Sequence, residues 1–170
     1  SSLIIGDPVT AEKEFRKAAE FGQPPAAVSQ WIAQSMLDGG EVDKVVAELG
    51  GVHILLNNAG ITDDQLFMRM KPESWRKVLS VNLDSVFTLC KLLAEGMCER
   101  GYGRIVNISS VNGQTGQFGQ TNYAAAKAGM HGFTMALARE VARKGVTVNS
   151  ISPGYIRTAM TAAIPEDVKQ

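Results

Sequence analysis

The sequence predicts an α/β fold, a parallel sheet with flanking helices. From about residue 51 short apolar runs alternate with long helical stretches, and each run ends in a turn of small or polar residues. With 170 residues, 45% of them hydrophobic, the chain has material for one domain or most of one. Charged residues make up 20% and the formal net charge is zero. That balance gives no basic surplus for nucleic acid. No apolar run approaches a membrane span, and no basic-then-apolar leader opens the chain. The expected setting is the cytoplasm, with neither nucleic acid nor membrane as partner.

The elements follow in order. Val52-His53-Ile54-Leu55-Leu56 reads as a buried strand, closed by Asn57-Asn58-Ala59-Gly60. Pro72 opens one long helix to about Arg100, with Trp75, Val78, Leu79, Leu83, Val86, Phe87, Leu89 and Leu93 on a broad apolar face. Gly101-Tyr102-Gly103 stops it. Ile105-Val106-Asn107-Ile108 is a second strand, followed by a Gly/Gln-rich loop from 112 to 120. A helix then runs from about Thr121 to Lys144, with Gly145 as its C-terminal cap. Val146 to Ile151 forms a third strand ending at Pro153-Gly154. In such sheets ligands bind beyond the carboxyl ends of the strands, where the asparagines, Ser110 and Pro153-Gly154 all fall.

Residues 1–50 break the alternation and form an atypical, mostly helical N-terminal segment. Leu3-Ile4-Ile5 suggests a short strand, while 10–21, 26–37 and 41–49 read as helix. Residues 51–170 form the catalytic portion. Three strands there leave exposed sheet edges, unless residues 3–5 or another chain cover one.

Tyr123 and Lys127 are four apart and share a helix face. An ammonium held near a phenol lowers the phenol's pKa, and such a phenol exchanges a proton with a substrate oxygen near neutral pH. Ser110, at a strand end, can hydrogen-bond the same oxygen. This is the chemistry of a carbonyl reductase. Tyr-x-x-x-Lys alone is a weak signal, and its bland reading is a surface tyrosine beside a solvated lysine. Cys90 and Cys98, two helical turns apart, cannot pair and read as small buried hydrophobes. His53 and His131 are isolated, so no metal site is expected.

The chain resembles the classical short-chain dehydrogenase/reductase family. The matching pieces are Asn57-Asn58-Ala59-Gly60, Asn82 in Val-Asn-Leu, Ser110, Tyr123-Ala-Ala-Ala-Lys127 and Pro153-Gly-Tyr-Ile-Arg-Thr158. The stretch from Ser109 to Thr134 is most similar to the acetoacetyl-CoA reductases of polyhydroxyalkanoate biosynthesis. The 3-oxoacyl-[acyl-carrier-protein] reductases of fatty acid biosynthesis are the close alternative. The resemblance implies a Rossmann-like sheet and an NADPH-dependent oxidoreductase acting on an acyl-CoA or acyl-carrier-protein thioester, with NADH as the other cofactor option.

Its implied catalytic residues are Asn82, Ser110, Tyr123 and Lys127. Tyr123 is the acid, Lys127 lowers its pKa and binds the nicotinamide ribose, Ser110 polarises the carbonyl, and Asn82 holds a proton-relaying water. The bland reading of Asn82 is an ordinary helix-interior asparagine. Asn58, Ala59, Gly60, Tyr123, Lys127, Pro153, Gly154, Ile156 and Thr158 are the implied cofactor-binding residues. A homo-oligomer, in family terms a homotetramer, is implied too, with Ala124, Ala125, Ala126, Ala128 and Gly129 packing helices across subunits or, alternatively, within one domain. The family's Thr-Gly-x-x-x-Gly-x-Gly phosphate loop is not in the sequence. The fold is therefore expected to be incomplete, its first glycine-rich βα unit and C-terminal strand missing. A catalytically silent homologue that acts only in packing or association is the opposing expectation.

Overall fold

In the computed structural model, which describes Ala27–Ser29 and residues 51–154, the apolar runs become strands of one parallel sheet. Its order is β1-β2-β3-β4, with β1 at Ala27–Ser29, β2 at Ile54–Asn57, β3 at Gly103–Ile108 and β4 at Val146–Ile151. Helices α1 (Pro72–Leu79) and α2 (Ser85–Glu99) connect β2 to β3. The short α3 (Asn112–Thr115) and the long α4 (Thr121–Val141) connect β3 to β4. The three strands expected beyond residue 51 are all present, and their order follows the chain. Among the described residues, no helix is long and apolar enough to cross a membrane.

Residues 27–29 correct the sequence reading. They were expected inside a helix over 26–37, yet they pair in parallel with β2, Ala27 opposite Ile54 and Ser29 opposite Leu56. The exposed edge of β2 carries a row of backbone donors and acceptors, and a strand laid against it satisfies them. That gain overrides a weak local helix preference. This edge of β2 is thus covered by 27–29. The other expectations for 1–50 lie outside the described residues, as do Ile156 and Thr158.

The core is built where α2 and α4 meet the sheet. Val86, Leu89, Cys90, Leu93 and Met97 of α2 are buried against Leu55, Ile105, Val146 and Val148, with Met130 and Val141 of α4 joining them. Each fully buried side chain of this kind stabilises the fold by about 1.5–3 kcal/mol. Cys90 and Cys98 are free thiols. Burial pushes the Cys90 thiol up to about 12, so it acts as a small apolar side chain.

The expected single helix over 72–100 is interrupted. Ser80–Asp84 forms a π-helical turn between α1 and α2, a widening often found at functional sites. It directs the fully buried Asn82 toward the turn after β2 while Leu83 packs on Gly129. At the other end of the domain α4 closes as expected, through a 3-10 turn at Ala142–Lys144 into Gly145 at φ 74°. Only glycine adopts that conformation without cost.

Candidate active site

Every site residue in the described region gathers at the carboxyl ends of β2, β3 and β4. After β2 the chain turns through Asn58, Ala59 and Gly60, with Asn58 and Gly60 exposed. Asn82 fixes the outgoing segment: its Nδ2 donates to Ile61 O at 2.9 Å and to Val78 O at 2.8 Å. Its Oδ1 accepts from Ile61 N at 3.2 Å. A side chain at Gly60 would have to displace Asn82. A Cβ there would sit 2.6 Å from Asn82 Oδ1 and 3.4 Å from Lys127 Nζ. Both side chains therefore converge behind one bare peptide.

Ser110 lies two residues beyond the end of β3. Its Oγ accepts from Asn112 N at 3.2 Å, which leaves its own hydrogen to donate. The loop then folds back as α3, where Gly113 N donates to Ser110 O at 3.0 Å. A Cβ on Gly113 would lie 2.8 Å from the Lys127 backbone carbon, so α3 is seated directly on α4 at the lysine. This contact holds Ser110 and Lys127 in register.

The first turns of α4 carry the pair read from the sequence. Asn122 is buried, accepts from Tyr123 N at 2.8 Å and donates to Asp63 O at 3.0 Å. It thereby anchors the start of the helix to the segment that follows β2. Gln65 N donates to Gly119 O at 2.8 Å, and Gln120 Nε2 donates to Asp64 Oδ2 at 2.8 Å, tying the same two segments together. Asn122 and this tie were not anticipated, because residues about sixty apart meet only through the crossover.

Lys127 is 2% exposed and donates from Nζ to Ile108 O at 2.7 Å. Burial lowers its pKa to about 8. The same Nζ lies 5.6 Å from the centre of the Tyr123 ring. Here the structure reverses an expectation. Desolvation holds the Tyr123 phenol above its ordinary value of 10, a hydrogen bond with Ser110 lowers it, and the charge of Asp64 raises it. The phenol was expected to be lowered by the ammonium. Burial of the ring outweighs that attraction, because a phenolate loses hydration that the site does not replace.

Beyond β4, Pro153 O accepts from Val111 N at 3.1 Å, so Pro153 and exposed Gly154 sit beside the Ser110 loop. The arrangement fits the nicotinamide nucleotide that the sequence resemblance calls for. Gly60 presents bare backbone in an exposed turn, with its side-chain side already filled. Lys127 has three N–H groups, of which one serves Ile108, leaving donors suited to a ribose hydroxyl.

Part of the alanine-rich stretch of α4 packs within the domain. Ala126 is fully buried and Gly129 packs on Leu83 of the same chain, whereas Ala125 and Ala128 face outward. Arg104 stacks over the Tyr102 ring at 4.3 Å and donates to Gly103 O and Gly145 O, a local arrangement at the opposite end of the sheet.

Comparison with known proteins identifies the family. The family model for short chain dehydrogenases matches residues 39–169. The acetoacetyl-CoA reductase of Cupriavidus necator is 63% identical over 126 residues, which cover 74% of this chain and 51% of that protein. The acetoacetyl-CoA reductase of Allochromatium vinosum is 60% identical over 163 residues, covering 92% and 66% respectively. The 3-oxoacyl-[acyl-carrier-protein] reductase of Escherichia coli is 53% identical over 126 residues, covering 74% and 52%. The chain thus spans about half to two thirds of the length of these relatives.

Proposed function

Since the chain belongs to the short-chain dehydrogenase family, we propose that it carries the catalytic portion of an NADPH-dependent reductase of 3-oxoacyl thioesters. Acetoacetyl-CoA is the favoured substrate, in line with the relatives from C. necator and A. vinosum. The observation that carries this reading is the convergence of Ser110, Tyr123 and Lys127 on one point. Ser110 is bonded to the phenol, and the lysine is held against the last carbonyl of β3.

Each residue has a role that follows from its surroundings. A phenol held above 10 is protonated at neutral pH, the form needed to donate to an oxygen that gains negative charge during reduction. Ser110 has a hydrogen to give the same oxygen, an oxyanion-type contact. Lys127, with a pKa of about 8, remains mostly an ammonium at pH 7, and its charge stabilises the phenolate left once the proton has moved. Asn58, Ala59, Gly60, Lys127, Pro153 and Gly154 would hold the cofactor, which when bound supplies a hydride. Asn82 supports this surface from behind through Ile61. Phe87 and Ala94 of α2 with Phe133, Ala136 and Leu137 of α4 line an outward groove that suits pairing with a second copy, and free thiols at Cys90 and Cys98 suit a reducing cytoplasm.

The second reading, a carrier-protein thioester as substrate, is favoured by the relative from E. coli. The test is calorimetric titration of the full-length protein with NADPH and NADH, followed by reduction assays on acetoacetyl-CoA and on an acetoacetyl carrier protein. Micromolar NADPH binding, and reduction abolished in Tyr123→Phe, are expected. Equal turnover by Tyr123→Phe would sink the assignment of the acid. Absence of nucleotide binding by the folded protein would sink the reductase and leave a silent homologue.

A further inference from the structure

His131 has no ligand-spaced partner in the sequence, but in the fold it has three hydroxyls. It lies on α4 one turn beyond Lys127 and two beyond Tyr123, so the same helix stripe carries all three. Its Nε2 is 3.1 Å from Ser109 Oγ and 3.3 Å from Ser152 Oγ, and its Nδ1 is 3.0 Å from Ser150 Oγ. Ser109 Oγ donates to Lys127 O at 2.8 Å. With its hydrogen placed there, Ser109 accepts from the imidazole, which fixes Nε2 as the N–H side of the ring.

The positions of these serines give the contact its meaning. Ser109 is the residue immediately before Ser110, while Ser150 and Ser152 lead into Pro153-Gly154. One ring therefore bridges the ends of β3 and β4 where both leave the sheet. Beyond the ladder that pairs Ile108 with Ile151, the backbone joins those ends through Ser109 N to Ile151 O at 2.7 Å and Val111 N to Pro153 O at 3.1 Å. Gln114 Nε2 extends the bridge, donating to Ser152 Oγ at 3.2 Å. We infer that His131 is a positioning residue: through Ser109, Ser150 and Ser152 it fixes the strand ends that present Ser110 and Pro153-Gly154 to the reacting groups. This inference rests on the proposed reductase reading. It adds to it the reason why Ser110 holds its place without a covalent or metal anchor.

The test uses the full-length protein with His131→Leu, His131→Gln and Ser110→Ala, the two His131 variants also being combined with Ser110→Ala. Loss of the bridge should lower kcat about tenfold in His131→Leu with KM for acetoacetyl-CoA changed less than about threefold. In the Ser110→Ala background the same replacement should change kcat by less than about twofold, since the effect passes through Ser110. His131→Gln, which keeps an N–H at similar reach, should recover most of the loss. Equal losses in both backgrounds, or none in a folded variant, would overturn the inference.

Amide hydrogen exchange supplies a readout that needs no turnover. In His131→Leu, exchange at Ser109 and Val111 should quicken about tenfold while Ile105 and Val148 stay protected, because a local opening leaves the core intact. Unchanged exchange at both amides overturns the bridge. Should the unmutated protein fail to reduce the thioester, the reductase reading falls by itself, and the exchange result still decides whether His131 ties the strand ends.

Discussion

The two ends of the sheet use the same device to opposite effect. At the amino end, Arg100 Nη2 donates to Val52 O at 2.6 Å and Arg104 Nη1 to Gly103 O at 2.7 Å. At the carboxyl end, Lys127 Nζ donates to Ile108 O at 2.7 Å. All three are cations on backbone carbonyls, yet Arg100 is exposed, Arg104 half-buried and Lys127 almost wholly enclosed. Water screens the arginines, whose contacts serve the fold and little else. Burial of the lysine makes its proton labile near pH 8. Polarity alone therefore does not mark the working end of this sheet; enclosure does.

Glycines sharpen the contrast. Gly145 at the amino end lies so close to Gly101 O that a Cβ cannot be placed, whereas the room left by Gly60 and Gly113 is filled by Lys127 and its neighbours. The first close approach joins strand to loop, and the other two seat the chain against Lys127.

The comparison can be broken most decisively at Tyr123. Tyr123→Phe should lower kcat by about 10²–10⁴, or about 3–5 kcal/mol of barrier, with an unchanged circular dichroism spectrum. Gly145→Ala should do the reverse. Strain at φ 74° and the clash with Gly101 should cost about 2–4 kcal/mol in urea denaturation, while turnover per folded molecule stays level. Gly113→Ala combines both effects. Stability should fall by about 1–3 kcal/mol, and kcat of the folded fraction should drop as well, because Ser110 moves with α3.

The lysine prediction concerns pH. Its folded pKa lies below the ordinary 10.5, at about 8, so the ammonium is present below that value and lost above it. The kcat/KM for thioester reduction should be level below pH 8 and fall by up to about tenfold per unit above it. A profile flat to pH 10 would remove Lys127 from the reaction. The smallest effect belongs to Arg104→Ala, expected to change stability by less than about 1 kcal/mol and kcat not at all.

Much of the fold was legible because strands 52–56, 105–108 and 146–151 are apolar runs ended by distinctive turns, and Ser110, Tyr123 and Lys127 lie at family spacing. The rest depended on partners that the sequence does not juxtapose. Ala27–Ser29 looks helical until the edge of β2 is there to pair with it. The π-turn at Ser80–Asp84 shares the residue types of an α-helix, so composition gives no sign of it. His131 looked isolated because Ser109, Ser150 and Ser152 come from two different strand ends. The direction of the Tyr123 shift was misread for the same reason: spacing reveals a neighbouring charge, while desolvation depends on everything packed around the ring.

The π-turn carries a consequence for sequence drift. Relative to a continuous α-helix it holds one residue more in the turn, and that residue allows Asn82 to face inward while α2 keeps its register on the sheet. Deleting any one position between 80 and 84 would mend the helix locally and could even raise its intrinsic stability. It would also swing Asn82 by about 100° away from Ile61, leaving the turn beside Gly60 without its strut. Exposed Ser80 and Asp84 are therefore free to change identity across descendants, while the length of this segment is not.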